Sequence, residues 1–454
     1  MAGIGWKLEK MLEQGTLAAT IQAYLTGVAV TSAPWLLTTA VLVSLRVLAR
    51  GEASIEFGRV ELLITLAYAV TLVLSAPVHV VVSRYAADRL YARQLELVAD
   101  PLRRALTATL AAFFIVGAIT MFLARAPLAL AVPGAALTAI IAAQWLLLAV
   151  GGGMSAPIGV LRAFALGALA SVLAAIALER GAGMGARGYL FGFTFGQGIA
   201  LLLMLVRVLR DLPAREKRAP AGALRGAFRE YRLLAGSALF VHAAVWIDKL
   251  CTWLLDGAQQ ARELAQVSAL AWFCVIPAFA WIYIRIETAF YRAFRRYFGG
   301  IDTGASLDEL EARANEVRSE TSRLLRGAFG LQVIVFVLAQ LAAPHVVTAL
   351  GIPAEATLGL RFTLVGASLQ VLTLLSLLLL YYLDLRRDAY VIAICQLVAI
   401  AGGTTASIVA GGPAAFGAAL GACIPAMLAV WTVRRVVSSL VPDTFQSQPF
   451  GTSM

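Results

Sequence analysis

Six charged residues stand in or near apolar stretches of this chain: Glu61, Arg162, Asp248, Lys249, Arg285 and Glu287. The stretch "LLAGSALFVHAAVWIDKLCTWLL" is the most informative. His242, Trp246, Lys249, Trp253 and Asp256 follow one another at spacings of 4, 3, 4 and 3, which puts them on one face of a helix. Asp248 lies about 100° round from that stripe. Further on, Trp281, Arg285, Thr288 and Arg292 are spaced 4, 3 and 4, with Tyr283, Glu287 and Tyr291 in a neighbouring row. Charges held beside tryptophan have two chemistries open to them. They can form a buried ion pair that fixes helix packing, with the indoles as packing or interface aromatics. They can also line a wet cavity, where tryptophan faces suit the apolar C–H faces of sugar rings and charged groups meet the hydroxyls.

The surrounding elements decide which solvent these residues face. Hydrophobic residues make up 60% of the 454, charged residues only 14%, and the mean hydropathy is +0.83. Soluble domains are nearer 45–50% apolar and 25% charged. Apolar runs of about 20 residues read as transmembrane helices. A charge near the centre of such a helix costs about 2.5–3.5 kcal/mol on insertion scales, so it faces protein or water. Arg162 lies about one turn from an end of its run and reads as a snorkelling side chain.

Twelve spans are expected, near 20–45, 60–82, 104–125, 130–151, 156–178, 187–208, 232–256, 266–290, 326–346, 358–382, 389–410 and 413–433. The division at "GGGMSAP" is the finest. With both termini cytoplasmic, twenty-six of the 37 basic residues fall inside and eight outside, as the positive-inside rule requires. The fold expected is all-α: a polytopic membrane protein with twelve transmembrane helices in two six-helix bundles around a central cleft. Residues 1–19 read as an N-terminal cytoplasmic amphipathic segment and 20–210 as the first bundle. Residues 211–231 form a basic, Pro- and Gly-punctuated linker, 232–436 the second bundle, and 437–454 a cytoplasmic tail. Within the second bundle, 292–325 reads as a cytoplasmic helical loop with an i,i+4 pair, Glu309 to Arg313. Pro277 is expected to kink the eighth span, and the glycines of "GARGYLFGFTFGQG" to bring helices close.

Several chemistries have no residues to support them. The sequence contains no Walker phosphate loop and no Gly-x-Ser-x-Gly elbow. His79, His242 and His345 fall in different apolar segments or at their edges, and the four cysteines sit singly in apolar runs. An enzyme, a metal site, a cofactor and a nucleic-acid partner are therefore not expected, and no residue reads as catalytic. By depth, Asp248 to Arg285 is a doubtful contact, whereas Lys249 can reach Glu61 and would form an outer gate.

"MAGIGWKLEKML", "TSAPWLLTTAV", "VSRYAADRLYAR" and "WIDKLCTW", in this order, resemble the PelG family, inner-membrane transporters of the Pel exopolysaccharide system. That family is similar to the polysaccharide flippases of the MOP superfamily. The resemblance implies a neutral or partly cationic polymer rich in N-acetylgalactosamine, made by a cytoplasmic glycosyltransferase. It implies partnership with other membrane subunits of a synthase complex regulated by cyclic di-GMP, in the bacterial inner membrane. It also places spans one, two, seven and eight around the cleft, with Asp248 and Lys249 facing it. Two further readings stay open. One is an exporter of lipid-linked oligosaccharides or drugs on the same fold, although the first half offers only Glu61 as an acid for ion coupling. The other is a non-transporting scaffold of a polysaccharide synthase.

Overall fold

The computed structural model describes residues 10, 11, 13–49, 52–153, 157–213, 217–220 and 222–446, and none of these lies in a strand. Most of the expected N-terminal segment, the centre of "GGGMSAP" and the end of the tail lie outside the described residues. The helices are α1 (Leu17–Leu48), α2 (Glu52–Tyr91), α3 (Ala99–Leu123), α4 (Leu128–Gly153), α5 (Pro157–Ile176) and α6 (Ala186–Arg210). They continue with α7 (Ala223–Glu230), α8 (Arg232–Leu255), α9 (Ala258–Phe273), α10 (Ile276–Arg285) and α11 (Tyr291–Asp302). The last are α12 (Leu307–Ala349), α13 (Ala356–Tyr382), α14 (Arg386–Val409), α15 (Ala414–Ser438) and α16 (Leu440–Gln446).

Every expected span falls on a helix. Ten helices among the described residues are long and apolar enough to cross a membrane, and the bent pair α9 with α10–α11 supplies an eleventh. The twelve expected spans are thus roughly matched, with α1, 32 residues long with Pro34 inside, contributing two shorter apolar stretches, Leu17–Val28 and Pro34–Leu48. The kink of the eighth span is a 44° bend at Cys274–Val275, just before Pro277. Proline lacks the N–H that would bond back across that turn and crowds the preceding carbonyl, so the helix stops and restarts.

The described residues form two compact units. The first is 32–242, and the second combines 243–446 with the described residues from 10 to 31. The unit boundaries thus fall inside α1 and α8.

In the first unit, α5 runs along α6, while α3 and α2 pack on α4. Its apolar core joins Phe57, Leu63, Leu137, Ile141, Tyr189 and Phe193. The α5–α6 seam is made of small residues at four-residue spacing, which lets backbones touch. A methyl group on Gly188 would lie 2.7 Å from the Glu179 nitrogen. On Gly192 it would collide with the Ala175 backbone, and on Gly196 with the Ser171 side chain and the Gly167 carbonyl. The basic linker is clasped to this unit. Ala227 and Tyr231 pack on Val81 and Tyr85, Lys217 pairs with Glu96 at 3.1 Å, and the Tyr231 hydroxyl donates to the Asp88 carboxylate. Burial first, and the Asp88 charge after it, raise the Tyr231 phenol above its ordinary range, so it remains a donor.

In the second unit, α14 and α13 pack on α15, and α12 and α9 on α13. Its α14–α15 seam repeats the close approach: a methyl group on Gly403 would strike the Gly417 carbonyl, and one on Gly421 the Ala399 carbonyl. The expected helical loop is helical, but its second part is not separate from the ninth span. α12 runs unbroken for 43 residues. It starts at a capping box in which Ser306 and Glu309 satisfy each other's backbone N–H groups at 3.3 Å. Glu309 is therefore a cap, and Arg313 bonds the Arg296 carbonyl at 3.1 Å in place of the expected i,i+4 pair. Arg318 donates to the Val437 and Ser438 carbonyls at 2.9 and 2.7 Å, capping the C-terminus of α15.

Candidate functional site

α8 carries the stripe read from the sequence, but burial selects one member and one neighbour. Compared with the residues of the stripe, its neighbour Asp248 is the most withdrawn from solvent, 6% exposed, whereas Trp253 is 55% exposed. The Lys249 ammonium curls back along the helix. It lies 3.0 Å from Asp248 Oδ2, donates to the Val245 carbonyl at 3.0 Å, and stands 6.0 Å from the Trp246 ring centre. A four-carbon stem permits this, and the carboxylate needs it, since an unpaired buried charge is costly. The second carboxylate oxygen, Asp248 Oδ1, is buried without a hydrogen bond, and so are Trp246 Nε1 and Gln370 Oε1. Asp248, Lys249 and Gln370 share a recess within the second unit whose other walls include Trp272, Thr363, Gly366 and Ala419. Two acceptors and an ammonium thus converge over a floor of small residues, with hydrogen-bonding capacity that the protein itself leaves open.

The second cluster forms where α10 passes into a π-helical turn, Ile286–Phe290. The wider turn breaks the 3.6-residue spacing, so the rows expected through Thr288, Arg292 and Tyr291 do not continue as straight stripes. Trp281 and Arg285 do share a face, with the guanidinium 5.7 Å from the indole centre. Arg285 pairs with Glu320 at 2.8 Å, and Glu320 also holds Arg323 at 2.8 Å. Tyr24 of α1 stacks near Trp281, with ring centres 6.3 Å apart, and Gly327 of α12 leaves room for the indole, since a methyl group there would be 2.5 Å from it. Glu287 accepts from the Tyr382 hydroxyl at 3.3 Å.

Glu320 was missed by the sequence reading because it sits in the stretch taken as a loop. Its signal was the apolar periodicity Leu310, Ala314, Val317, Thr321 and Leu324, all buried, which marks a packed face rather than a free connector. Because Glu320 keeps Arg323, Arg285→Met is expected to lower the detergent-solubilised protein's stability by only about 1 kcal/mol. A loss above about 3 kcal/mol in thermal unfolding would show the Arg285 pair to be a main structural tie.

The expected ion pair of Lys249 with Glu61 is replaced in this structure by two pairs, each internal to its unit. Glu61 accepts from Arg46 at 2.8 Å, and both are partly exposed. Fifteen residues separate them, so a short loop closes the pair at small entropic cost. Arg285 and Asp248 also have separate partners, in line with the depth argument. His242 meets His79, with ring centres 5.8 Å apart, although the sequence showed the histidines only as scattered. Among the described residues no group of three or more His, Cys, Asp or Glu could hold a metal, and the four cysteines are unpaired.

Solved structures with the same helical arrangement are transporters. A MATE protein in the bent conformation is 16% identical, with a TM-score of 0.66 over 94% of this chain and 96% of that one. An outward-facing multidrug resistance MATE family transporter of the MOP superfamily is 15% identical, with a TM-score of 0.64 over 94% and 96%. A MOP superfamily transporter from Pyrococcus furiosus Vc1 (DSM3638), whose binding pocket is described as reversed in polarity, is 14% identical, with a TM-score of 0.65 over 92% and 95%. No curated protein matches the chain by sequence. The fold is thus MATE-like. The chain belongs to the PelG family, described as "Putative exopolysaccharide Exporter (EPS-E)", which it matches over residues 1–445. It is a multi-pass membrane transporter of polysaccharide.

Proposed function

We propose that this chain carries an N-acetylgalactosamine-rich exopolysaccharide from the cytoplasm to the periplasm across the bacterial inner membrane. It receives the polymer from a cytoplasmic glycosyltransferase, within a cyclic di-GMP-responsive set of membrane subunits. Both termini are cytoplasmic in this reading, which the distribution of basic residues supports. The observation that carries it is the match of residues 1–445 to the exopolysaccharide exporter family, and the small recess at Asp248, Lys249 and Gln370 adds a place where polymer hydroxyls can be met. Its buried acceptors lack partners, and a polyhydroxylated chain brings the donors they lack. Trp246, and the cluster of Trp281 with Arg285 and of Glu287 with Tyr382, supply the aromatic and charged surfaces along the same unit.

Vesicles reconstituted with the synthase test the reading. Polymer should appear in the lumen only when this chain is present. Equal delivery without it removes the conduit and leaves a scaffold. Trp253 is largely exposed, so Trp253→Ala should leave thermal stability within about 0.5 kcal/mol of wild type while lowering export, and Trp246→Ala should also lower export. Normal export in both variants would make the indoles packing residues.

A further inference from the structure

Two of the chain's three histidines meet inside the first unit. His79 lies on α2 and His242 on α8, edge to face at 85°. His242 Nδ1 is 2.7 Å from the Ala238 carbonyl one turn back. A carbonyl only accepts, so Nδ1 carries the hydrogen and the lone pair stands on Nε2. His79 Nδ1 is buried without a partner. One turn before it on the same helix face, the Ser75 hydroxyl is also buried and unpartnered. Thr65 and Thr71 on α2 and Thr252 on α8 bond the carbonyl four residues back; Ser75 does not. Two buried, unsatisfied polar atoms and an imidazole lone pair, on two half-buried rings and a buried serine, therefore stand among apolar helices.

Among the described residues no carboxylate is paired with either ring; α7, which packs on α2, carries Arg225, Arg229 and Glu230. α2 has no carboxylate between Glu61 and Asp88; its nearest titratable residue toward Glu61 is Tyr68, and those toward Asp88 are Arg84 and Tyr85. α4 carries no titratable side chain, and those of α3 and α6 stand in end turns: Asp100, Arg103 and Arg104, and Arg187, Tyr189, Arg207 and Arg210. Further along α8, Asp248 and Lys249 pair with each other.

We propose that His79 and His242, with Ser75, form a proton-binding site that couples polymer movement to a proton gradient. One proton adds to a ring nitrogen and is shared with the facing lone pair or the Ser75 hydroxyl. A second is opposed by the first, because like charges this close disfavour each other. The neutral pair suits the apolar interior, while the cation favours any arrangement that admits water or an acceptor. Proton binding thereby biases one conformational state over another.

The binding half needs no transport to be tested, and the coupling half rests on the transport reading. In nanodiscs, nitrogen-15 histidine NMR of full-length wild-type protein, with His345→Gln for assignment, should show the pair taking up one proton between about pH 4 and 9. His79→Gln should move the titration of the remaining His242 by about one pH unit or more. Rings that titrate independently, or that take up no proton in this range, overturn the site. In vesicles, a gradient of one pH unit supplies a bias of about tenfold per proton, and wild-type polymer uptake should rise toward that limit. The ratio with and without the gradient should fall to about one in His79→Gln. Wild-type uptake indifferent to the gradient overturns the coupling. No wild-type uptake at all defeats the transport reading and the coupling together, and the NMR result then judges the site by itself.

Discussion

Gly196→Ala is expected to lose more than about 2 kcal/mol of stability, although alanine is ordinarily the better helix former by about 1 kcal/mol. The new methyl group would meet the Ser171 side chain and the Gly167 carbonyl. Ser171 is fully buried, and a backbone carbonyl cannot rotate away. The seam must open along its length, which also loosens Gly188 on Glu179 and Gly192 on Ala175. Gly198→Ala is the matched control, because its methyl group would find only Ile140 Cδ1, at 3.9 Å. Thermal unfolding in detergent, read by size-exclusion chromatography, separates the two. Equal midpoints would mean that the α5–α6 seam adapts and is not a rigid contact.

Lys249→Met is expected to destabilise the protein by about 3–5 kcal/mol, because it leaves the Asp248 carboxylate buried without its cation. The double variant Asp248→Asn/Lys249→Met removes both charges at similar volume and should recover most of that loss. Its export is the informative quantity. If the recess handles the polymer, export stays at least tenfold down in a protein of near-normal stability, a deficit of about 1.4 kcal/mol or more. Restored export in the double variant would make the pair a packing device alone.

The helices were legible because membrane spans announce themselves by length and apolarity, and the bend of the eighth span because proline lacks a donor. The glycine seam was legible as a composition, but its partners Ala175 and Ser171 were not, since small residues occur in most spans. The stripe through Trp246 and Lys249 was read correctly as a helical face. The sequence did not show that Asp248, beside it, would be more buried than the stripe itself, because burial depends on which neighbouring helix covers which side. Past Arg285 the spacing misled for a definite reason: the π-helical turn inserts a residue into the period, and no residue type encodes that. Glu61 was assigned a distant cation where Arg46, a short loop away, was already within reach. Glu320 and the meeting of His79 with His242 are tertiary facts, invisible until helices far apart in the chain are side by side.

α12 has a mechanical consequence. At 43 residues it measures about 64 Å, roughly twice a bilayer's hydrocarbon thickness of about 30 Å. Its charged first half therefore stands outside the membrane as a stiff mast continuous with the apolar half. Arg318 stays it to the end of α15, and Glu320 and Gly327, on the same first half, tie it to Arg285 and Trp281. No proline interrupts it before Pro344, so a sideways load on the mast head is passed as tilt into the apolar half.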